Sequence, residues 1–178
     1  MADRGFVLKL AAAGGMCVEI GCWKGDFSAQ ILSVMQPREL HLVDPWRFAP
    51  AFPKRWYGGG IAASQADMDR IFEQVCSRFA PTPQVKVHRL ESVAAACRFP
   101  DNTFDWIYID GDHSQDAVLA DLRSWFGKVK PRSPIVCDDY GWLDESGVAS
   151  VKAAIGAFLR ETAVADAYQS QGQFVIRR

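Results

Sequence analysis

The sequence predicts an α/β protein in three layers, with a mostly parallel seven-stranded sheet that ends in an antiparallel C-terminal hairpin. Three observations carry that expectation. The run "CVEI" breaks at Gly21, and after Gly25 the apolar residues Phe27, Ile31, Leu32 and Met35 follow helical spacing, giving a strand, a tight turn and a helix. β-type runs then recur at "ELHLVD", "VKVHRL", "FDWIYID" and "PIVCDD", with amphipathic segments at 26–35, 66–79, 91–97, 115–126 and 147–160. That alternation is the pattern of a parallel sheet covered on both faces. Finally, "VADAYQ" and "QFVIRR" are separated by only a short polar link, too short for a crossover helix, so they pair as a hairpin.

The elements follow in order. The opening segment "MADRGFVLKLAAAGG" reads as a helix leading into the first strand. It lacks a basic region followed by a long hydrophobic core, and Lys9 interrupts its apolar run, so it does not resemble a secretory signal. Residues 45–64, "PWRFAPAFPKRWYGGGIAAS", form an irregular insert after strand two. Its prolines, five aromatics and three consecutive glycines suit neither helix nor strand and suggest a lid over the ends of the strands.

The composition fits one domain spanning 1–178. The 178 residues include 20 basic and 21 acidic ones, a net charge of -1 that gives no broad cationic face for nucleic acid or an anionic membrane. No run approaches the roughly 18 apolar residues of a membrane span. Five cysteines, an odd number set mostly among apolar residues, point to reduced thiols and a cytoplasmic protein. His41 and His88 lie inside strand runs and read as structural.

The candidate site gathers where the strands' carboxyl ends point. Gly21 and Gly25 let the chain pass close to a bound nucleoside, and Glu19, just inside the strand, can orient that loop or meet a ligand's ammonium group. The spacing G-x-x-x-G lacks the middle glycine of a dinucleotide site. Asp44 closes strand two, where an acidic side chain can accept from ribose hydroxyls, or can instead cap its own loop. Glu91 and Ser92 follow strand three near the expected adenine position, with a helix cap as the alternative. Asp110, Asp112 and His113 then cluster at the end of strand four, and Asp138 and Asp139 end strand five. So many ionisable groups at strand ends point to chemistry.

Taken together, "EIGCWKG", "LVDPW", "IDGDHSQ" and "DDY", in this order, resemble the class I S-adenosylmethionine (SAM)-dependent methyltransferases, in particular the small-molecule O-methyltransferase branch of the macrocin and catechol type. The sequence departs from that pattern at Gln115, where Tyr is common, and at "KPRSPI", where a "KPGG" turn is usual. The resemblance implies a Rossmann-like fold that binds SAM through Glu19, Gly21, Gly25, Asp44, Glu91, Ser92 and Asp110. It also implies that strands four and five are neighbours, so Asp110, Asp138 and Asp139 converge. Converging carboxylates repel unless protonated or bridged, which suggests Mg²⁺ or another divalent cation, although related enzymes work without metal. His113 and Asp110 are then the candidate catalytic residues, with His113 as base, and the acceptor is a small hydroxylated molecule. A homo-oligomer could supply a lid that a short chain lacks. The competing readings are an NAD(P)-dependent oxidoreductase and a non-catalytic SAM-fold binding module.

Overall fold

The computed structural model describes residues 4–178. Its seven strands are β1 (Met16–Ile20), β2 (Glu39–Asp44), β3 (Val85–Arg89), β4 (Trp106–Ile109), β5 (Pro134–Cys137), β6 (Asp166–Ser170) and β7 (Gln173–Arg177). They form one sheet in the order β3-β2-β1-β4-β5-β7-β6. β1 pairs in parallel with both β2 and β4, β4 pairs in parallel with β5, and β7 runs antiparallel to both β5 and β6. The seven-stranded, mostly parallel sheet with its terminal hairpin is the fold that the alternation of the sequence predicts. The chain progresses in opposite directions on the two sides of β1, which opens a crevice over the carboxyl ends of β1 and β4.

Side chains alternate between the two faces of the sheet. Cys17, Leu40, Leu42, Trp106, Tyr108 and Val136 pack against α1 (Asp26–Met35) and α2 (Gln65–Phe79). Val18, Ile20, Ile107, Ile109 and Ile135 pack instead against α3 (Ser92–Ala96), α4 (Gln115–Trp125) and α5 (Ser150–Glu161). Period-two alternation, apolar toward both faces, is what a central parallel sheet requires. Ser64 starts α2 by accepting the Asp67 N–H, while the Asp67 carboxylate accepts the Ser64 hydroxyl in return at 2.8 Å.

The expected N-terminal helix lies partly outside the described residues, and among those described it is instead a single 3-10 turn, Val7–Lys9. Val7 and Leu8 bury themselves against the α1 layer, and the Val7 carbonyl accepts both Leu10 N–H and the Trp106 indole. Tertiary packing thus takes the carbonyl that a longer helix would use, and Gly14 and Gly15 favour ending the turn. The β6–β7 link is a two-residue turn whose residues, Gln171 and Gly172, have φ of 50° and 89°. That is the primed geometry whose twist matches a hairpin. Arg132, at the turn before β5 where the family usually has glycine, adopts φ 65°.

His41 and His88 face each other across β2 and β3, with ring nitrogens 2.9 Å apart. Burial, reinforced by His88, pulls the His41 pKa down to about 4, so the pair is neutral near neutral pH and contributes to packing. No helix among the described residues is long and apolar enough to cross a membrane.

Candidate active site

The loop between β1 and α1 is shaped by contact with its neighbours. Gly21 has φ +83°, and a Cβ there would lie 2.1 Å from the Asp110 carbonyl oxygen and 2.7 Å from Gly111 Cα. Gly25 has φ +75°, and a Cβ there would lie 2.6 Å from the Phe79 ring. Gly21 therefore lets the first loop lie directly against the end of β4, and Gly25 lets it pass under the end of α2, before any ligand is considered. Glu19 is buried on the α1 side and accepts the Ser28 hydroxyl. Burial pushes its pKa up to about 8 despite that hydrogen bond.

Asp44 ties two loops together. Its carboxylate accepts the Trp23 N–H at 3.0 Å and the Trp46 N–H at 2.7 Å, while the Trp46 indole donates to the Trp23 carbonyl at 2.9 Å. Burial raises its pKa to about 6, and the two backbone donors oppose that rise. Asp44 thus holds the walls of the crevice and keeps acceptor lone pairs beyond those two bonds. Glu91 is exposed and pairs with Arg47 at 2.7 Å, which places it at the rim. Ser92 turns inward, where its hydroxyl accepts the Trp125 indole at 2.8 Å.

The insert divides its aromatics between anchor and rim. Trp46 is fully buried against Phe72, with ring centroids 5.0 Å apart. Trp56 is exposed and lies 5.9 Å from the Trp23 ring, at the start of a π-helical turn, Trp56–Gly60. Arg55, just before that turn, places its guanidinium 4.2 Å from the Trp142 ring.

At the ends of β4 and β5, Asp110 Oδ1 lies 3.4 Å and Asp139 Oδ2 lies 3.5 Å from His113 Nε2. The opposite ring nitrogen, Nδ1, lies 3.5 Å from Arg55 Nη1. Of the three carboxylates expected to share one cation, Asp110 and Asp139 meet at His113, and Asp138 turns elsewhere. One Asp138 oxygen accepts the Gln173 amide at 2.9 Å and the other pairs with Arg4, which also contacts Asp110 at 3.1 Å. The cation between Asp110 and Asp138 is therefore a guanidinium of the chain itself. Burial raises the Asp110 pKa, opposed by its hydrogen bond with His113. For His113, burial alone would lower the pKa, but the hydrogen bond to Asp110 and the charges of Asp110 and Asp139 outweigh it and leave the pKa raised. Asp112 accepts the Ser114 N–H at 2.9 Å and shapes the turn into α4.

Residues 18–140 match the model of a family described as "Methyltransferase domain". The chain belongs to that methyltransferase-domain family. No curated protein sequence matches it. Among solved structures, the methyltransferase superposes on a Corynebacterium glutamicum protein with a TM-score of 0.68 at 14% identity, covering 99% of this chain and 82% of that one. A SAM-dependent methyltransferase from Aquifex aeolicus gives 0.62 at 16% identity, covering 98% and 88%. Precorrin 8w decarboxylase from Methanobacterium thermoautotrophicum gives 0.62 at 15%, also covering 98% and 88%. The methyltransferase thus has the fold of SAM-dependent enzymes, and at such identities the likeness concerns the fold alone.

Four residues around the methyltransferase site escaped the sequence reading. Arg55 and Trp142 sit in irregular segments with no periodic signal. Asp121 lies on α4 among apolar positions; burial lifts its pKa to about 7, and one of its oxygens would lie 3.8 Å from a Cβ at Gly111. A lone acid on the buried face of a helix was the available clue. Arg4 had none, because nothing in "MADRGF" shows that this cation reaches the ends of strands four and five.

Proposed function

We propose that this methyltransferase transfers the methyl group of SAM to a hydroxyl oxygen of a small molecule, with His113 as general base. The observation that carries the reading is the placement of the imidazole. Nε2 faces two carboxylates and Nδ1 faces a guanidinium, which cannot accept a proton. Nε2 therefore carries the hydrogen and Nδ1 the lone pair. SAM, when bound, supplies a sulfonium whose methyl is open to in-line displacement. An acceptor hydroxyl beside His113 would pass its proton to Nδ1 as its oxygen takes that methyl, the C–S electron pair remaining with sulfur. Asp110 and Asp139 then stabilise the imidazolium, while Arg55 must yield its place beside Nδ1 to the acceptor. Gly21 and Gly25 shape the floor, Glu19 and Asp44 brace the loops over it, and Glu91 and Ser92 flank the adenine end.

Metal assistance is a second reading, favoured by the cluster of Asp110, His113 and Asp139, whose ligand atoms lie within 4.8 Å of one another. One imidazole and two carboxylates fit Mn²⁺ or Mg²⁺, which when bound would lower the pKa of an acceptor hydroxyl. Asp138 stands outside that set while Arg4 holds it.

Thermal-shift and calorimetric titrations with S-adenosylhomocysteine, NAD and NADP, each with and without Mg²⁺, test the cofactor. Methyl transfer from labelled SAM to a panel of phenols, catechols and sugars, with and without EDTA, tests acceptor and metal. Saturable S-adenosylhomocysteine binding and EDTA-resistant transfer lost in His113→Ala are expected. Preference for NAD would overturn the reading, and activity abolished by EDTA and restored by Mn²⁺ would select the metal-assisted form.

A further inference from the structure

Arg4 sits in a built cradle. Its guanidinium contacts the carboxylates of Asp110 and Asp138 and lies 5.2 Å from the Phe27 ring centroid and 5.8 Å from that of Tyr108. Two anions with two aromatic faces form a recognition box for an organic cation, since the ring faces attract positive charge and the carboxylates fix its orientation. Asp138 is buried, and the Tyr108 hydroxyl, on a fully buried residue, lies against its carboxylate. Withdrawing the guanidinium would leave the buried Asp138 carboxylate without its countercharge, so the box demands another cation. The Arg4 side chain is about one-third exposed, so the box can be reached from solvent beside it.

We infer that this box is a subsite for a ligand's alkylammonium or guanidinium group, and that Arg4 occupies it in the free protein as an internal competitor. The box shares Asp110 with His113, so a cationic head group seated there would lie next to the proposed base. Arg4 must withdraw for such a ligand to enter, and the ligand's apparent affinity falls by the fraction of molecules in which Arg4 is seated. The inference that the competing group is the ammonium of the cofactor's amino-acid end rests on the SAM-dependent reading; the existence of the box does not.

The test uses Arg4→Ala, the double variant Arg4→Ala/Asp138→Asn, and methylguanidinium as the probe. Saturable thermal stabilisation of Arg4→Ala in the millimolar range is expected, with no saturable effect on the wild type or on the double variant. Absence of that stabilisation in a folded Arg4→Ala protein would overturn the subsite. If Arg4→Ala is too unstable to assay, Arg4→Lys replaces it, and the shorter-headed cation should raise the apparent affinity for methylguanidinium over wild type. In parallel, calorimetry with S-adenosylhomocysteine should give about fivefold or tighter binding to Arg4→Ala than to wild type. Weaker binding would mean that Arg4 holds the ligand's carboxylate, and would overturn the competitor role. Failure of S-adenosylhomocysteine to bind either protein, with methylguanidinium still stabilising Arg4→Ala, would refute the SAM reading and leave the cation box standing.

Discussion

Burial alone would keep the His113 imidazole neutral, yet Asp110 and Asp139 together draw its pKa above the ordinary value. A base with a raised pKa is protonated over more of the pH range, so the rate of methyl transfer should climb with pH and level off above the ordinary imidazole range. Asp139→Asn should shift that midpoint down, because one of the two charges is lost while the Asp110 contact remains. A pH–rate profile of both proteins checks this, and an unmoved midpoint would detach Asp139 from the base. Arg132 gives a second residue-scale expectation. Its φ of 65° is strained for a side-chain-bearing residue, and the side chain makes no ion pair among the described residues. Arg132→Gly relieves the strain at some entropic cost, for a net gain of up to about 1 kcal/mol in urea unfolding. The departure from the family pattern was visible in "KPRSPI"; its left-handed backbone was not, because one sequence does not reveal φ.

At the scale of elements, the strand–loop–helix unit depends on how tightly its loop lies on β4. Gly21→Ala would drive a methyl group into the Asp110 carbonyl and should cost on the order of 3 kcal/mol or more, measured by denaturant unfolding without ligand. A loss below about 1 kcal/mol would mean that the loop can back away from β4. Asp44→Ala strands one buried and one half-buried N–H group and should cost about 2 kcal/mol in the same assay, whatever its effect on ligand affinity. The strands and helices were legible because burial on both faces imposes period two and helices impose 3.6, and most boundaries agree within a residue or two. The N-terminal turn was not, since Val7, Leu8 and the Trp106 indole hold it through contacts almost a hundred residues distant in sequence. For the same reason the sequence placed Asp138 and Asp139 together at the end of β5 but could not say that they diverge. Asp139 takes a left-handed φ of 51°, which separates the directions of two adjacent carboxylates.

For the molecule as a whole, the buried Glu19 couples global stability to pH. Its folded pKa, about 8, stands above the ordinary glutamate value. The stability it contributes is therefore full below the unfolded pKa near 4.5 and is lost as pH rises through about 8. Glu19→Gln, which cannot ionise, should match wild type near pH 5 and exceed it at pH 9 by on the order of 2 kcal/mol, read as a higher Tm. Equal pH dependence in the two proteins would place the ionised carboxylate in a better-solvated setting. The parallel sheet and its terminal hairpin were readable from the alternation and the short final link, and the adjacency of β4 and β5 came with the family resemblance, whereas the place of β7 between β5 and β6 is seen only in the structure.

The six tryptophans divide evenly in a way that bears on how the protein can be observed. Trp46, Trp106 and Trp125 are fully buried, whereas Trp23, Trp56 and Trp142 border the crevice with partial or full exposure. The emission of the protein should therefore contain a blue component from the core and a red one from the mouth. Acrylamide should quench the red component first, and a molecule settling over the Trp23–Trp56 pair should shield it and shift the spectrum toward the blue. The crevice thus carries its own optical reporter, with the core as an internal reference.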